Sequence, residues 1–166
     1  EALPSLLCGL PSLFNDPISK SIFSSNSFKC LPQLLKKYGH YNAFFHGGHL
    51  GTMGFDSFSL SHGFDRYFSK EDYGKDDYDG NWGVFDYPYL EYVVDELNHL
   101  RKPFFSTIFT LSSHQPYTLP KEFQNRFPKG SLPIHESIGY VDFALKNFFQ
   151  KSQKQPWFKN TFFILT

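Results

Sequence analysis

The sequence predicts an α/β domain whose central sheet is mostly parallel and flanked by helices. Segments with apolar residues three and four positions apart, the spacing of an amphipathic helix, alternate with short aromatic and β-branched runs typical of buried strands. The resulting order of helix, strand, helix, strand, helix, strand is typical of a parallel sheet. A length of 166 residues suffices for one domain with a hydrophobic core, or for a large part of a bigger domain.

Two short helices are predicted near the start of the chain. In each, leucines recur at helical spacing and a glycine follows, which is the usual stop signal of a helix. The stop residues are Gly9 and Gly39. The leucines are Leu3, Leu6 and Leu7 in the first helix and Leu31, Leu34 and Leu35 in the second.

Two longer helices are predicted further along the chain. The first begins at Asp86 or Tyr87, and the second lies between Ile138 and Phe149. The apolar residues that we assign to their buried faces are Leu90, Val93, Val94, Leu97 and Leu100 in the first and Ile138, Val141, Leu145, Phe148 and Phe149 in the second.

Three strands are predicted, beginning at Tyr41, Phe104 and Thr161. The strand at Phe104 is apolar enough to be buried on both faces of a sheet. The third strand is predicted to end at Leu165. Residues from about 53 to 83 are predicted to be rich in loops, because they carry no sustained periodic pattern.

Histidines follow two of these strands. His114 lies beyond the strand that begins at Phe104, and His46 and His49 flank two glycines after the strand that begins at Tyr41. Ligands of open α/β sheets bind just beyond the carboxyl ends of the strands, so these histidines are predicted to bind a ligand. The alternative for His114 is that it is a loop residue that only caps the strand end.

Metal binding by these residues alone is not favoured. A zinc site needs at least three protein ligands, and no cysteine or glutamate stands beside His46 and His49. The acidic run at Asp76, Asp77 and Asp79 lacks the distal glutamate and the glycine position of a calcium loop, so we interpret it as a solvated turn.

Composition excludes some classes of function. Lys and Arg total 16, as do Asp and Glu, so the formal net charge is zero, and no basic cluster of the kind that binds nucleic acid is present. No apolar run approaches the roughly 20 residues of a membrane span. Cys8 and Cys30 can form a disulfide or remain two thiols, and the sequence does not decide between these states.

Both ends of the chain fall within predicted elements. Glu1 begins inside a helical pattern without a capping residue, and Thr166 directly follows the last strand. Natural termini usually lie in polar, exposed segments. We therefore expect residues 1–166 to be the central part of a longer domain that is truncated at both ends.

Six short segments carry a family resemblance. They are residues 2–12 (ALPSLLCGLPS), 45–48 (FHGG), 63–65 (GFD), 82–86 (WGVFD), 110–117 (TLSSHQPY) and 138–142 (IGYVD). Together, and in this order, they resemble the sulfatase-like domain of lipoteichoic acid synthase and related phosphoglycerol transferases, in the alkaline phosphatase superfamily. The resemblance implies an alkaline-phosphatase-like α/β fold, of which this chain is a partial domain.

The resemblance also implies an activity. Such enzymes are membrane-anchored, with the catalytic domain outside the cytoplasmic membrane in the bacterial cell envelope. They transfer phosphoglycerol or a related phospholipid head group to an envelope glycolipid or glycan through a threonine or serine phospho-enzyme. A divalent metal (Mn, Mg or Zn) assists the reaction. No nucleic acid is implied, and the membrane is contacted through segments outside this chain.

The resemblance assigns site residues as well. It places the nucleophile just before Glu1 and the metal ligands upstream of Glu1 and just after Thr166. No catalytic residue or metal ligand is therefore expected within this chain, which is expected to be inactive alone. The substrate-binding residues that it implies are His114 and His46, and we include the adjacent His49.

Three alternatives remain open. Gly48, Met53 and Phe55 stand where some family members carry an acidic residue, a tryptophan and an arginine that grip phosphoglycerol, so a phosphoethanolamine transferase is one alternative. A catalytically inactive binding domain is another. Sulfatase-type hydrolysis is the third and is disfavoured, because Cys8 has Leu10 where the sulfatase cysteine motif requires proline.

Overall fold

A computed structural model describes residues 2–11, 17–24 and 26–166. The described chain forms two compact units. Unit 1 comprises the described residues of Glu1–Asp72 together with Arg101–Phe109, and unit 2 comprises Tyr73–Leu100 and Thr110–Thr166.

Unit 1 contains a three-stranded sheet. Its strands are β1 (Tyr41–His46), β2 (Arg66–Phe68) and β3 (Phe104–Phe109), in the order β2-β1-β3. Both pairings are parallel, which confirms the predicted parallel sheet. The central strand β1 is almost entirely buried, in keeping with its aromatic and apolar sequence.

The helices of the first half of the chain begin as predicted. Helix α1 (Ala2–Cys8) is followed by Gly9 and helix α2 (Leu31–Lys36) by Gly39, and both glycines have positive φ angles of 66° and 82°. Only glycine adopts this conformation without strain, so the predicted stop signals are confirmed. The sequence also predicts an irregular turn at residues 10–17 and a loop at residues 24–27. Residues 12–16 and 25 of these segments lie outside the described residues.

A disulfide joins Cys8, the last residue of α1, to Cys30, which caps the start of α2. The two cysteines are 22 residues apart in sequence. The sequence had left their state open, and the structure pairs them.

The prediction of loops between residues 53 and 83 is wrong in part. Helices α3 (Phe55–Ser61) and α4 (Lys70–Tyr73) and strand β2 lie in this region. Serine-rich α3 has little intrinsic helix preference, but it buries Phe58 in the core of unit 1. The three residues of β2 form a strand through their pairing with β1, which no local pattern reveals.

The core of unit 1 is aromatic. The ring of Phe44 stacks on Tyr67 with centroids 5.4 Å apart and meets Phe64 edge-on at 5.3 Å. The buried cluster consists of Leu3, Leu7, Ile18, Phe44, Phe58, Phe64 and Tyr67. Burying side chains of this size contributes roughly 1.5–3 kcal/mol each, so the phenylalanine-rich composition stabilises this unit.

Unit 2 is built around two packed helices, α5 (Asp86–His99) and α6 (Ile134–Ser152). The predicted start of α5 and its buried residues are confirmed. The predicted face of α6 is wrong in part, since Ile138 is 50% exposed. Part of the face of α6 that is buried consists of small residues. These do not contribute to an apolar pattern, so the sequence did not identify this face. The buried residues of α6 are Ser137, Tyr140, Ala144, Phe148 and Ser152.

Two predictions about strands are corrected. Residues 161–165 form no strand, and Phe162 is 87% exposed, because a strand requires a hydrogen-bonded neighbour and none of the described residues pairs with this segment. Strand β3 is half-buried along its length rather than buried on both faces, and it lies at the edge of the described sheet. In the described part of the chain, no helix is long and apolar enough to cross a membrane.

Candidate functional site

His46 is the last residue of the central strand of unit 1. It is only 1% exposed and stands beside Phe109, the last residue of β3, in the parallel register. The sequence had placed this histidine in a loop, whereas the structure ends β1 on it. Its position at the carboxyl end of a central parallel strand is where open α/β sheets bind ligands.

The imidazole of His46 is held on several sides within unit 1. Its Nδ1 atom lies 2.8 Å from the hydroxyl oxygen of Tyr67, which is the middle residue of β2. The rings of Phe55 and Phe109 meet it edge-on, with centroids 5.3 Å and 5.5 Å away. The hydrogen bond and these ring contacts together fix both the rotation and the tilt of the imidazole.

Gly48 lies against the same ring. A β-carbon on residue 48 would stand 2.5 Å from Cε1 of His46, well inside van der Waals contact. Glycine is therefore required at this position for steric reasons, and it allows the loop after β1 to fold back over the imidazole.

Burial governs the protonation of Tyr67. Burial, with the nearby charges of Asp56 and Glu71, raises the pKa of Tyr67 far above its ordinary value of 10. The phenol therefore keeps its proton at any physiological pH. Its hydrogen bond with Nδ1 of His46 can have the Tyr67 hydroxyl as donor, which leaves the ring hydrogen on Nε2.

His49 is placed differently from His46. It is exposed, and its Nδ1 atom lies 2.7 Å from Oε1 of Glu71, while Oε2 of Glu71 accepts a hydrogen bond from the backbone N–H of Leu50. Burial acts to raise the pKa of Glu71, but hydrogen bonds from His49, Ser69 and the backbone outweigh it and lower this pKa to about 2. This carboxylate thus anchors the end of the loop after β1.

In unit 2, a buried carboxylate organises the loop that carries His114. Asp86, the first residue of α5, is 1% exposed. Its two oxygens accept hydrogen bonds from the backbone N–H groups of Leu111 (2.8 Å) and Ser112 (3.2 Å), and its own N–H donates to the Ser112 hydroxyl at 2.9 Å. Three bonds thus tie this loop to the start of α5.

The environment of Asp86 shifts its protonation. Burial raises the pKa of Asp86 from 3.8 to about 6, although the hydrogen bonds from Leu111 and Ser112 and the charge of His114 act in the opposite direction. A carboxyl with such a pKa changes charge close to neutrality, so the charge beside the His114 loop depends on pH.

His114 itself is half-buried and oriented by its own backbone. Its Nδ1 atom lies 3.1 Å from the carbonyl oxygen of Leu111. A carbonyl can only accept, so Nδ1 carries the hydrogen. In the neutral form of this tautomer Nε2 is a hydrogen-bond acceptor, and it becomes a donor when the ring is protonated.

Trp82 contacts the loop that carries His114. Its indole N–H donates to the carbonyl oxygen of Gln115 at 2.6 Å, and its ring lies 5.6 Å from that of His114. The turn that presents Trp82 is the acidic run interpreted above as a solvated turn. There, Oδ1 of Asp79 accepts hydrogen bonds from the backbone N–H groups of Asn81, Trp82 and Gly83.

The predicted site residues thus divide between the two units. His46 and His49 belong to unit 1, where each bonds to a different partner, and His114 belongs to unit 2. Sequence reasoning missed Tyr67 and the loop-anchoring role of Asp86. Asp86 carried a signal, because an acidic residue at a helix start beside a segment of the resemblance is a candidate anchor; Tyr67 carried none.

The described residues contain no cluster of side chains that could form a metal centre. In residues 2–11, 17–24 and 26–166, no three His, Cys, Asp or Glu side chains form a group that can hold a metal ion. The described residues therefore offer no ligand set for the divalent metal that the resemblance implies, and no role below is assigned to a metal held by these residues.

Comparison with known proteins identifies the class of this fold. The structure aligns with a crystal structure of a protein in the alkaline phosphatase superfamily from Vibrio parahaemolyticus, with a TM-score of 0.82 and 28% identity over 94% of this chain and 39% of that chain. It also aligns with lipoteichoic acid synthase LtaP from Listeria monocytogenes, with a TM-score of 0.78 and 22% identity over 92% of this chain and 39% of that chain. The fold is that of the alkaline phosphatase superfamily.

The sequence comparisons define the family. The family model described as Sulfatase matches residues 1–166, and the chain belongs to this family. It is 30% identical to phosphoglycerol transferase I of Citrobacter koseri over 96% of the chain and 23% of that protein. It is 27% identical to the lipoteichoic acid synthase-like protein YvgJ of Bacillus subtilis over 85% of the chain and 24% of that protein. The chain spans about a quarter of the length of these curated relatives.

Proposed function

We propose that this chain is part of an enzyme that transfers phosphoglycerol, or a related phospholipid head group, to a hydroxyl group of an envelope glycan or glycolipid. The observation that carries the proposal is the buried His46, held by Tyr67 at the carboxyl end of β1. The names of the similar proteins, which are phosphoglycerol transferases and lipoteichoic acid synthases, supply the substrate class.

The role proposed for His46 is to bind the substrate. With the Tyr67 hydroxyl donating to Nδ1, the hydrogen of the neutral ring is on Nε2, which can donate to a phosphate or glycerol oxygen. The surrounding aromatic rings exclude water and so strengthen such a bond. Because the ring is fixed before substrate arrives, little conformational entropy is lost on binding.

Substrate binding is proposed separately for His114. Its Nδ1 hydrogen is engaged by the Leu111 carbonyl, so a neutral His114 would accept a hydrogen bond at Nε2 and a protonated one would donate. A glycerol hydroxyl suits the first state and a phosphate oxygen the second. His49, already bonded to Glu71, would contribute at the edge of the same loop as His46.

The chemical step belongs to residues outside this chain in our proposal. A threonine or serine hydroxyl oxygen forms a bond to phosphorus, the bond from phosphorus to the diacylglycerol oxygen breaks, and the proton of the nucleophile leaves with diacylglycerol. A divalent metal (Mn, Mg or Zn) would lower the pKa of this nucleophile. Residues 1–166 alone are expected to be inactive.

The proposal includes a location. The enzyme would act in the bacterial cell envelope, outside the cytoplasmic membrane, because its donor is a membrane phospholipid and its acceptor is an envelope glycan. It would be anchored to the membrane by segments outside this chain. The disulfide between Cys8 and Cys30 supports this location, since disulfides persist in oxidising compartments and are rare in the cytosol.

The same disulfide rules out Cys8 as the formylglycine precursor of a sulfatase. A sulfatase converts a cysteine or serine of its motif to formylglycine, and Cys8 is bonded to Cys30. Cys8 therefore cannot supply that aldehyde while the disulfide is intact. A phosphoethanolamine transferase and an inactive binding domain remain the rival functions to be tested.

The test uses the full-length gene product, supplied with Mn²⁺, Mg²⁺ or Zn²⁺ and vesicles of phosphatidylglycerol or phosphatidylethanolamine. We expect diacylglycerol to form from phosphatidylglycerol and no turnover of an aryl sulfate. Diacylglycerol formation from phosphatidylethanolamine alone would favour the phosphoethanolamine transferase. Binding of vesicles without turnover under every metal would favour the inactive domain.

A further inference from the structure

A groove in unit 2 is not used by the function proposed above. Its volume is about 380 Å³, within the roughly 300–1,000 Å³ range of small-molecule sites. The start of α5, a short 3-10 helix (Lys121–Phe123) and helix α6 form its walls. The lining residues are Asp76, Asp77, Tyr78, Phe85, Tyr87, Pro88, Pro120, Lys121, Glu122, Phe123 and Tyr140.

The groove is acidic. Asp76, Asp77 and Glu122 contribute three carboxylates against the single ammonium group of Lys121. Such a balance repels an anionic ligand such as a phospholipid head group. Carboxylates are strong acceptors of hydrogen bonds from hydroxyl groups, and Asp77 already accepts one from the hydroxyl of Tyr73.

The groove is also aromatic. The half-buried rings of Phe85 and Tyr87 line it, backed by the buried rings of Phe123 and Tyr140. The backing rings are in mutual contact, with centroids of Phe123 and Tyr140 5.2 Å apart. Ring faces carry negative charge density and attract weakly positive C–H groups, so the accessible parts of Phe85 and Tyr87 can pack against the C–H face of a sugar.

A buried donor completes the lining. The hydroxyl oxygen of Tyr140 accepts a hydrogen bond from the backbone N–H of Tyr87 at 3.2 Å, and its own proton has no acceptor among the residues that the structure describes. Burial raises the pKa of Tyr140 far above 10, so this proton is retained. Tyr140 is fully buried, so its donor reaches an oxygen atom of a ligand only when the side chains that cover it move aside.

We propose that this groove binds a sugar ring of the hydroxyl-bearing acceptor substrate. Carboxylates accept from its hydroxyl groups, the aromatic wall packs on its C–H face, and Tyr140 donates to one of its oxygens. This inference rests on the proposed transferase function, because a transferase needs both a donor and an acceptor. The donor is anionic and the acceptor is a neutral polyol, so the acidic charge of the groove favours the acceptor.

Direct binding tests the groove separately from catalysis. Saturation-transfer NMR on the full-length gene product would use the glucose disaccharides maltose, cellobiose and gentiobiose, with choline and glycerol 3-phosphate as cationic and anionic probes. We expect at least one disaccharide to bind. The paired substitutions Asp76→Asn and Glu122→Gln keep the shape of the groove. They should raise the Kd of the bound disaccharide at least fivefold.

A matched control uses Glu96→Gln and Asp142→Asn, which remove two carboxylates of the same unit that do not line the groove. The control should leave the Kd unchanged. The proposal is overturned if no disaccharide binds, if the groove variant binds as tightly as wild type, or if choline binds in place of the sugars and loses affinity in the groove variant.

Catalysis then separates this inference from the proposed function. With phosphatidylglycerol vesicles, the groove variant should raise the KM for the disaccharide at least fivefold while diacylglycerol formation without acceptor, where water reacts instead, stays at the wild-type rate. Equal losses in both reactions would overturn the acceptor groove. If the wild type forms no diacylglycerol at all, the proposed function fails, whereas the binding result still decides whether the groove holds a sugar.

Discussion

Nδ1 of His46 lies 2.8 Å from the hydroxyl of Tyr67, and both groups are buried in unit 1. The phenol of Tyr67 connects the middle of β2 to the carboxyl end of β1. Strand β2 therefore fixes the orientation of His46, a candidate substrate-binding residue. A second such constraint is steric and comes from Gly48. Variants of Tyr67 and Gly48 can therefore show whether these residues orient the His46 ring or only stabilise the fold.

We expect Tyr67→Phe to keep the fold and to lower kcat/KM about fivefold, because a neutral hydrogen bond of about 1 kcal/mol no longer sets the tautomer of His46. His46→Ala should raise KM more than it lowers kcat, since the role proposed for this residue is to bind the substrate in the ground state. The ¹⁵N shifts of the His46 ring should report a mixture of tautomers in Tyr67→Phe. Tyr38→Phe, at an exposed position, is the control. A wild-type ring spectrum with unchanged kinetics would contradict the positioning role.

We expect Gly48→Ala to displace the His46 ring, because the new β-carbon would stand 2.5 Å from Cε1. Activity should fall at least tenfold, and the free energy of unfolding should fall by about 1–3 kcal/mol, as for other overpacked cores. Urea unfolding measures the second effect. Introducing Gly48→Ala into His46→Ala should cost little further stability, because the clashing ring is gone. An equal cost in both backgrounds would show that the strain lies in the backbone and not in the ring contact.

We expect His114→Ala to leave the fold intact and to remove most phosphodiester turnover, at least tenfold. The sharper variant is His114→Asn, whose amide can replace the Nδ1 donor to the Leu111 carbonyl but has no atom at the position of Nε2. Its turnover should fall as far as that of His114→Ala, while its stability matches the wild type. Full activity of His114→Asn in the vesicle assay would mean that the histidine only shapes its own loop.

Some of the features behind these predictions could be predicted from the sequence, and others could not. The parallel sheet, helix α5, and helices α1 and α2 with their glycine stops follow from periodicity and local conformational preference, which act within a few residues. The short strand β2 exists only because β1 pairs with it, and α3 is helical because its apolar side chains are buried against the core. Such tertiary effects leave no local signal.

The site shows the same division. His46, His49 and His114 could be singled out because a histidine after a buried strand is visible in the sequence. Their partners could not, since Tyr67 lies 21 residues from His46, and only the fold brings the two together. The buried face of α6 was missed for a different reason: Ser137 and Ala144 pack in the interior without contributing to an apolar pattern.

We expect stability to depend on pH through Asp86. Its folded pKa of about 6 lies above the ordinary value of 3.8, so between these values the folded state binds more protons than the unfolded state. The stabilisation is complete below about pH 4 and is lost as the pH rises through about 6. Asp86→Asn should flatten this slope in urea unfolding curves recorded from pH 4 to 7. A slope that persists in the variant would assign the titration to another group.

We expect the disulfide between Cys8 and Cys30 to contribute about 3 kcal/mol, because it closes a loop between residues 22 apart in sequence and so restricts the unfolded chain. Reduction with dithiothreitol should lower the urea midpoint. Replacement of both cysteines by alanine should lower it to the same extent as reduction. Reductant should have no further effect on the double variant, which serves as the control. Thiol titration of the unfolded, unreduced protein should find neither Cys8 nor Cys30 free. Two free thiols, or a midpoint that ignores reductant, would show that the pair is not bonded in solution, and the oxidising compartment proposed for this protein would lose its structural support.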